Sequence, residues 1–370
     1  MRIGTVKEIK KHEYRVGLTP NAVSSYVKHG HSVYVQRGAG IGSSYTDDMY
    51  YQAGCILKDS AAEVFEACEM IVKVKEPLEP EFPLLRENQI IYTYLHLAAA
   101  KELTQTLLDK KCIGIAYETI TDNEGGLPCL KPMSQIAGRL AIQEGAKYLE
   151  KPFGGRGVLL SGVPGVLPAE VVILGAGVVG MSAIKIATGM GAHVTVLDID
   201  LKKLEFIEDI YFGRISTQYS SNENIEFSLE KADLVIGAVL IPGAVAPKLI
   251  KNSYLKKMKP GAVIVDVAID QGGCSEASHP TFHDDPVFLQ DGVINYCVTN
   301  MPGAVSNTAT DALNNATLAF GLRIADFGIK EALKSDKNLM NGLNTCDGKI
   351  TCTGVALAHG MEYINPLTLF

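Results

Sequence analysis

The sequence predicts an α/β protein of two Rossmann-like, doubly wound domains, one inserted into a discontinuous partner and joined to it by long helices. Three observations lead there. At 370 residues the chain is long for a single core. Between about residues 170 and 300, short apolar runs alternate with helical or looped crossovers. One of those runs, 171–174, leads straight into Gly175-x-Gly177-x-x-Gly180, the order of strand, tight turn and helix.

Taken in order, residues 1 to about 130 carry a weaker α/β rhythm. Strands are expected at 2–6, 32–36, 70–73, 90–93 and 113–116, with helices near 21–29, 60–68 and 101–110. A helix over about 132–149 follows, its apolar residues Ile136, Leu140, Ala141 and Tyr148 recurring at helical spacing. The glycine-rich loop from Lys151 to Gly157 ends it. Strands at 171–174, 193–197, 233–238, 262–267 and 293–298 then read as unbroken Val/Ile/Leu runs, as parallel strands covered on both faces should. A second long helix, about 307–334, returns the chain. Residues 1–130 with 307–370 are therefore expected to form a substrate domain and residues 131–306 a nucleotide domain, with a small substrate meeting the nucleotide in a cleft between them.

The glycine triplet has a physical reading. Gly175 can take the positive φ of the turn, Gly177 admits a pyrophosphate close to the backbone, and Gly180 lets the helix pack against the strand. Amides at the helix start, from about Val178, would face the phosphates with the helix dipole behind them. The next apolar strand ends in Asp198, placed to accept hydrogen bonds from an adenosine ribose diol, which argues for NAD over NADP. Lys202 and Lys203 leave partial NADP use open. The competing reading is a glycine-rich turn in an unrelated α/β domain.

Composition narrows the class. With 47% apolar and 20% charged residues and no low-complexity tract, the chain is a folded globular one. A net charge of −7 argues against nucleic acid as a main partner. Eight cysteines without a CxxC spacing fit reduced thiols better than a disulfide frame or a zinc site. The start lacks the apolar segment of a signal peptide, so a cytoplasmic protein is expected. The continuously apolar, uncharged stretch 171–184 falls short of the roughly 20 residues that span a bilayer and carries the nucleotide glycines.

Four polar residues sit where chemistry is done. Arg15 lies in a loop after the first strand, where a planar guanidinium can grip a carboxylate with two bonds; a surface salt bridge is the alternative. Lys75 follows a strand end, where an ammonium can stabilise negative charge growing on a carbonyl oxygen; a solvated loop lysine is the alternative. His96 follows the apolar run 90–95 and is the best placed of the eight histidines for acid/base work, against a buried histidine satisfied by backbone groups. Asp270 ends the run 263–269 at the carboxyl end of a nucleotide-domain strand, where ligands bind in open α/β sheets. Asp266, inside that strand, reads as structural. Closing the cleft would bring His96 and Asp270 together and exclude water.

Several motifs in series extend the reading. They are the opening Met1-Arg-Ile-Gly-Thr-Val-Lys-Glu, Glu13-x-Arg15-Val-Gly-Leu-Thr-Pro20, Lys73-Val-Lys75-Glu-Pro77, Tyr94-Leu-His96-Leu, Lys131-Pro-Met-Ser134, the glycine-rich stretch from Gly154 to Gly165, Val265-Asp-Val-Ala-Ile-Asp270-Gln-Gly-Gly273 and Asn300-Met-Pro-Gly303. Through them nearly the whole chain resembles the alanine dehydrogenase family. The resemblance implies reversible oxidative deamination of L-alanine to pyruvate and ammonium with NAD. Arg15 would anchor the carboxylate, Lys75 the carbonyl oxygen, and His96 and Asp270 would move protons. Further residues are implied only in this way. Ser134, Val178, Val179, Lys203, Ser220, Val239 and Leu240 would contact the nucleotide; so would Val267, Ala268, Ile269 and Asp270, and Val298, Thr299, Asn300 and Met301 near the nicotinamide, with Asn300 also at the substrate. The family suggests a homohexamer. A magnesium pair carried by some members would fall near Arg323 and Phe327, neither a ligand, and no HExxH is present, so no metal is expected. Two alternatives stay open: a component resembling the NAD(H)-binding alpha subunit of a nicotinamide nucleotide transhydrogenase, and a non-catalytic NAD-binding protein. The set Arg15, Lys75, His96 and Asp270 favours the enzyme.

Overall fold

The computed structural model describes residues 1–239 and 245–369, and the apolar runs become two sheets. The chain divides into two compact units, Met1–Met133 with Gly303–Phe370, and Ser134–Pro302.

In the first unit, β1 (Arg2–Thr5), β2 (Ser32–Gln36), β3 (Ile56–Lys58), β4 (Met70–Val72), β5 (Ile90–Thr93) and β6 (Ile113–Ala116) lie parallel in the order β3-β2-β1-β4-β5-β6. The order reverses beside β1, which makes the carboxyl ends of β1 and β4 the natural place for a ligand. The second unit repeats the plan. Here β7 (Glu170–Leu174), β8 (His193–Asp198), β9 (Ile215–Tyr219), β10 (Leu234–Gly237), β11 (Val263–Asp266), β12 (Val287–Gln290) and β13 (Val293–Tyr296) run β9-β8-β7-β10-β11-β13-β12. Only β12 is antiparallel, against β13. The chain then returns to the first sheet, where β14 (Leu343–Cys346) pairs antiparallel with β6 and β15 (Lys349–Ile350) pairs with β14.

Strands β3, β9, β12, β14 and β15 lie outside the runs expected from the sequence, and the reason is physical. Edge strands β3, β9 and β12 are half exposed; β9 mixes polar with apolar residues, and the apolar runs of β3 and β12 are only two and three residues long, too short to mark a strand. Strand β14 is fully buried yet reads Leu-Asn-Thr-Cys. Its polar groups are satisfied inside: the Thr345 hydroxyl accepts the Gly114 N–H and donates to the Cys112 carbonyl, and the Asn344 amide donates to the Thr119 hydroxyl.

Each unit has its own core. Ile71, Ile91 and Leu95 of the first pack with Phe65, Leu103 and Leu107 from flanking helices, and with Ile350 and Val355 from the returning chain. Val172, Val235 and Ile264 of the second pack with Leu229, Tyr254 and Leu255. The two long helices run Lys131–Tyr148 and Ser306–Ser335, the latter interrupted at Gly328, where φ is 74°. Buried side-chain bonds tie the second of these to the loop after β1 and to β5. The Val16 N–H donates to the Thr310 hydroxyl at 3.3 Å, the Thr19 N–H to Asn314 Oδ1 at 2.9 Å, and the Tyr92 hydroxyl to the Thr317 carbonyl at 2.8 Å. Thr19 also caps the helix Pro20–Lys28, accepting the Ala22 N–H.

Further along, Gly321 is pressed against Tyr26, so that a Cβ there would overlap the Tyr26 hydroxyl. That hydroxyl is buried and has no hydrogen-bond partner among the described residues. Tyr26→Phe should therefore stabilise the protein by up to about 1 kcal/mol by removing an unsatisfied group. Gly321→Ala should destabilise by about 1–3 kcal/mol through overpacking, and the double variant should lose less than the sum of the two. Denaturant midpoints of the four proteins check this; strict additivity would show that the two sites do not collide.

Candidate active site

Loops at the carboxyl end of the first sheet are held by charge. Lys73, just past β4, is fully buried, and its ammonium lies 3.1 Å from Glu8 and 2.8 Å from Glu81, both buried as well. Glu8 also accepts the Val74 N–H at 2.6 Å and the Lys75 N–H at 3.3 Å, while Glu81 accepts the Leu78 N–H at 3.0 Å. Burial raises the Glu8 pKa despite the opposing pull of Lys73. For Lys73 burial works against the charge, but the two carboxylates outweigh it and hold the group ammonium.

That cluster fixes the backbone on either side of Lys75, whose carbonyl in turn accepts the Thr93 hydroxyl at 3.0 Å. The Lys75 side chain is partly buried, and its ammonium makes no hydrogen bond or ion pair among the described residues. Burial, followed by the nearby charges of Arg15 and Lys10, pushes its pKa down. Glu76, beside it, pairs with Lys10 and is held low by Lys10, Lys75 and His96 against the effect of burial.

Arg15 is buried rather than on the surface. Glu13 Oε1 accepts its Nε at 2.7 Å and its backbone N–H at 3.1 Å, Oε2 accepts Nη2 at 2.6 Å, and Nη1 lies 3.1 Å from Met133 Sδ. Burial opposes the guanidinium charge, but Glu13 more than compensates, and the pKa sits above its ordinary value. The pair fixes the guanidinium plane.

His96 is not the buried, backbone-satisfied histidine of the competing reading. Its side chain is 44% exposed, and its ring makes no hydrogen bond among the described residues. The ring stacks on buried Tyr94, with centroids 5.9 Å apart and planes 13° from parallel; the Tyr94 hydroxyl donates to the Cys129 carbonyl. His96 has φ 49° and ψ 35°, a left-handed conformation that costs a non-glycine residue roughly 1–2 kcal/mol. The Glu118 carboxylate accepts the Leu95 N–H at 3.2 Å and the His96 N–H at 2.6 Å.

The second unit gathers its own set at the carboxyl ends of parallel strands. Gly175 has φ 102°, a Cβ on Gly180 would run into the Gly175 carbonyl, and no atom of the described residues lies within 4 Å of a Cβ on Gly177. Crowding at two glycines and open space at the middle one is the geometry a pyrophosphate needs. The helix Val178–Gly189 begins there with no side-chain cap, so its first amides remain available to an anion, and Val179 is buried behind them. A dinucleotide fits these residues. Asp198 accepts the Ala176 N–H on Oδ2 at 2.6 Å and the Asp200 N–H on Oδ1 at 2.9 Å, so it already braces the glycine turn. Its carbonyl accepts the Ser220 N–H. Lys203 lies 3.9 Å from Asp200. Val239 follows β10 and is partly buried; Leu240 lies outside the described residues.

Asp270 is exposed in the turn Val267–Gln271 after β11, where Val267 is partly buried and Ala268 and Ile269 are buried. Asp266 is 1% exposed and braces this loop, accepting the N–H groups of Ala268, Cys274 and Ser275 and the Ser278 hydroxyl. Past β13, Val298 and Met301 are buried and Thr299 is half-buried; Asn300 has φ 62° and its carbonyl faces His283 Nε2 at 3.3 Å. Ser134 is half-buried in the first turn of Lys131–Tyr148. Among the described residues no group of three His, Cys, Asp or Glu side chains could hold a metal, and Arg323 lies 3.5 Å from Asp336.

Sequence reasoning missed Glu8, Glu13, Glu81 and Glu118. Glu13 alone had a local signal, standing two residues from Arg15.

Comparison with known proteins covers the whole chain. The model "Alanine dehydrogenase/PNT, N-terminal domain" matches residues 4–137 and "Alanine dehydrogenase/PNT, C-terminal domain" matches residues 141–353. The chain is 54% identical to an alanine dehydrogenase of Methanococcus maripaludis over 98% of each, and 52% identical to one of Halomonas elongata over the full length of both. A solved L-alanine dehydrogenase superposes with a TM-score of 0.95 at 49% identity, covering 97% of this chain and 99% of that one. A transhydrogenase from Sinorhizobium meliloti shares the fold, with a TM-score of 0.82 at 22% identity over 95% of this chain and all of the other.

The lowered pKa of Lys75 has a sign that can be checked. Below its native pKa the enclosed charge opposes folding; the penalty fades as pH rises through that value and vanishes above the ordinary lysine value of 10.5. Lys75→Met should therefore raise the denaturation midpoint near neutral pH, by a margin that shrinks as pH approaches 10.5. A lower midpoint for the variant at pH 7 would show that the ammonium is stabilised in place.

Proposed function

Because the chain belongs to the alanine dehydrogenase/PNT family, we propose that it catalyses the reversible, NAD-dependent oxidative deamination of L-alanine to pyruvate and ammonium. The observation that carries this reading is likeness at about half identity, along the whole chain, to proteins named alanine dehydrogenase. The proposal includes a cytoplasmic homohexamer serving alanine catabolism, as the family resemblance implies.

The residues support a division of labour. Arg15, its plane fixed by Glu13, takes the substrate carboxylate. Lys75, an ammonium with a lowered pKa and no partner of its own among the described residues, donates to the carbonyl oxygen of pyruvate and steadies the charge that grows there. Water adds to the iminium, and the carbinolamine collapses; both steps shift protons between oxygen and nitrogen. His96, with an exposed ring, and Asp270, with an exposed carboxylate, serve as the groups that move them. A bound nicotinamide dinucleotide supplies the hydride acceptor. Gly177 and the amides from Val178 would hold its pyrophosphate, Ser134, Val179, Lys203, Ser220, Val239, Leu240, Val267, Ala268, Ile269, Val298, Thr299 and Met301 would make further contacts, and Asn300 would be shared with the substrate. The Asp198 carboxylate supports NAD over NADP, since its charge would oppose a 2′-phosphate.

Purified protein should reduce NAD with L-alanine, oxidise NADH with pyruvate and ammonium, and leave L-glutamate nearly untouched. One arginine serves one carboxylate, and a second would be buried unpaired. Comparable rates with glutamate, or none with alanine, would sink the reading.

His96→Ala and Asp270→Asn should each lower turnover by about two orders of magnitude or more while NADH binding persists. A folded His96→Ala protein with parental turnover would leave the exposed ring without a role in the reaction.

A further inference from the structure

We infer that Glu118 is a positioning residue for His96 and acts through the backbone rather than through the imidazole. The inference rests on the reading of His96 as a proton-transfer group.

Two arrangements of a carboxylate beside a histidine do different things. In one the carboxylate bonds the ring nitrogen and sets its tautomer. Here Nδ1 lies 3.9 Å from Glu118 Oε1, beyond hydrogen-bond reach. In the other the carboxylate takes successive backbone amides and fixes where the chain carries the ring. Glu118 Oε1 accepts both the Leu95 N–H and the His96 N–H, and Oε2 shares the former. Two consecutive amides aimed at one anion, the second on a left-handed residue, form a small concave anion site filled by the protein's own side chain.

The surroundings point the same way. Glu118 lies in the turn Tyr117–Thr119 directly after β6, the strand paired with β5, from whose end His96 projects. Its neighbour Tyr117 meets Tyr94 edge to face, with centroids 5.1 Å apart, and Tyr94 stacks on the His96 ring. The end of β6 thus supplies one side chain that braces the ring's stacking partner and another that braces its backbone. With the ring plane set by Tyr94, the position of the His96 Cα is left to Glu118.

The test compares Glu118→Ala and Glu118→Gln, each alone and combined with His96→Ala, by alanine kinetics, NADH binding and amide hydrogen exchange over residues 94–97. Glu118→Ala should lower kcat about ten- to a hundredfold with a much smaller change in KM for alanine, since a misplacement of about 1 Å is enough for such a loss. Glutamine keeps an acceptor for both amides and should recover most of it. In the His96→Ala background Glu118→Ala should cost nothing further, and exchange at Leu95 and His96 should quicken with alanine but not with glutamine. Parental turnover and amide protection in Glu118→Ala would overturn the inference. So would a glutamine variant as impaired as alanine, which would make the charge and not the clamp decisive, and so would an equal loss with and without His96. If the parent does not oxidise alanine, the reaction reading falls alone, and the exchange measurement still decides whether Glu118 holds His96.

Discussion

A parallel sheet leaves the amides of its carboxyl-end loops without ladder partners, and those are the loops that carry ligands. This protein meets the constraint with buried or half-buried carboxylates. Glu8 takes the amides of Val74 and Lys75, Glu118 those of Leu95 and His96, Asp198 those of Ala176 and Asp200, and Asp266 those of Ala268, Cys274 and Ser275. In both units the same chemistry turns a loop that would otherwise need water into a fixed platform.

The platforms are not equally expensive to disturb. Lys73 with Glu8 and Glu81 is fully enclosed, and removing one member of such a group leaves the others charged and dry, at a cost of about 3–5 kcal/mol. Lys75, two residues on, is the opposite case: an ammonium whose pKa is pressed down by burial and by Arg15 and Lys10. The enclosed cluster holds the strained one in place. Stability and readiness for a ligand are separated along three residues of chain.

The sheets were legible because buried parallel strands must be continuously apolar, and the glycine triplet because each position answers a distinct steric demand. Asp266 read as structural from its place inside a strand, and in the structure it takes donors from Ala268, Cys274, Ser275 and Ser278. What stayed hidden has a common cause. Glu8 and Glu118 act on amides far away in sequence, with separations of 66 and 22 residues for Val74 and His96, and no local pattern announces such a pairing. Strand β14 was hidden for a related reason, because Asn344 and Thr345 look like loop residues until their partners at Thr119, Cys112 and Gly114 are known.

That last strand bears on how the chain comes off the ribosome. The Gly114–Thr345 contact joining β6 to β14 spans 231 residues. When synthesis has passed the first unit's six parallel strands, β6 is still a bare edge, and Ile350 and Val355, which belong to the same core, have not yet been made. The second unit, contiguous from Ser134 to Pro302, has all seven of its strands in hand first. The nascent chain therefore carries an open, aggregation-prone sheet edge for as long as it takes to translate the whole insert, and the first domain to begin is the last that can close.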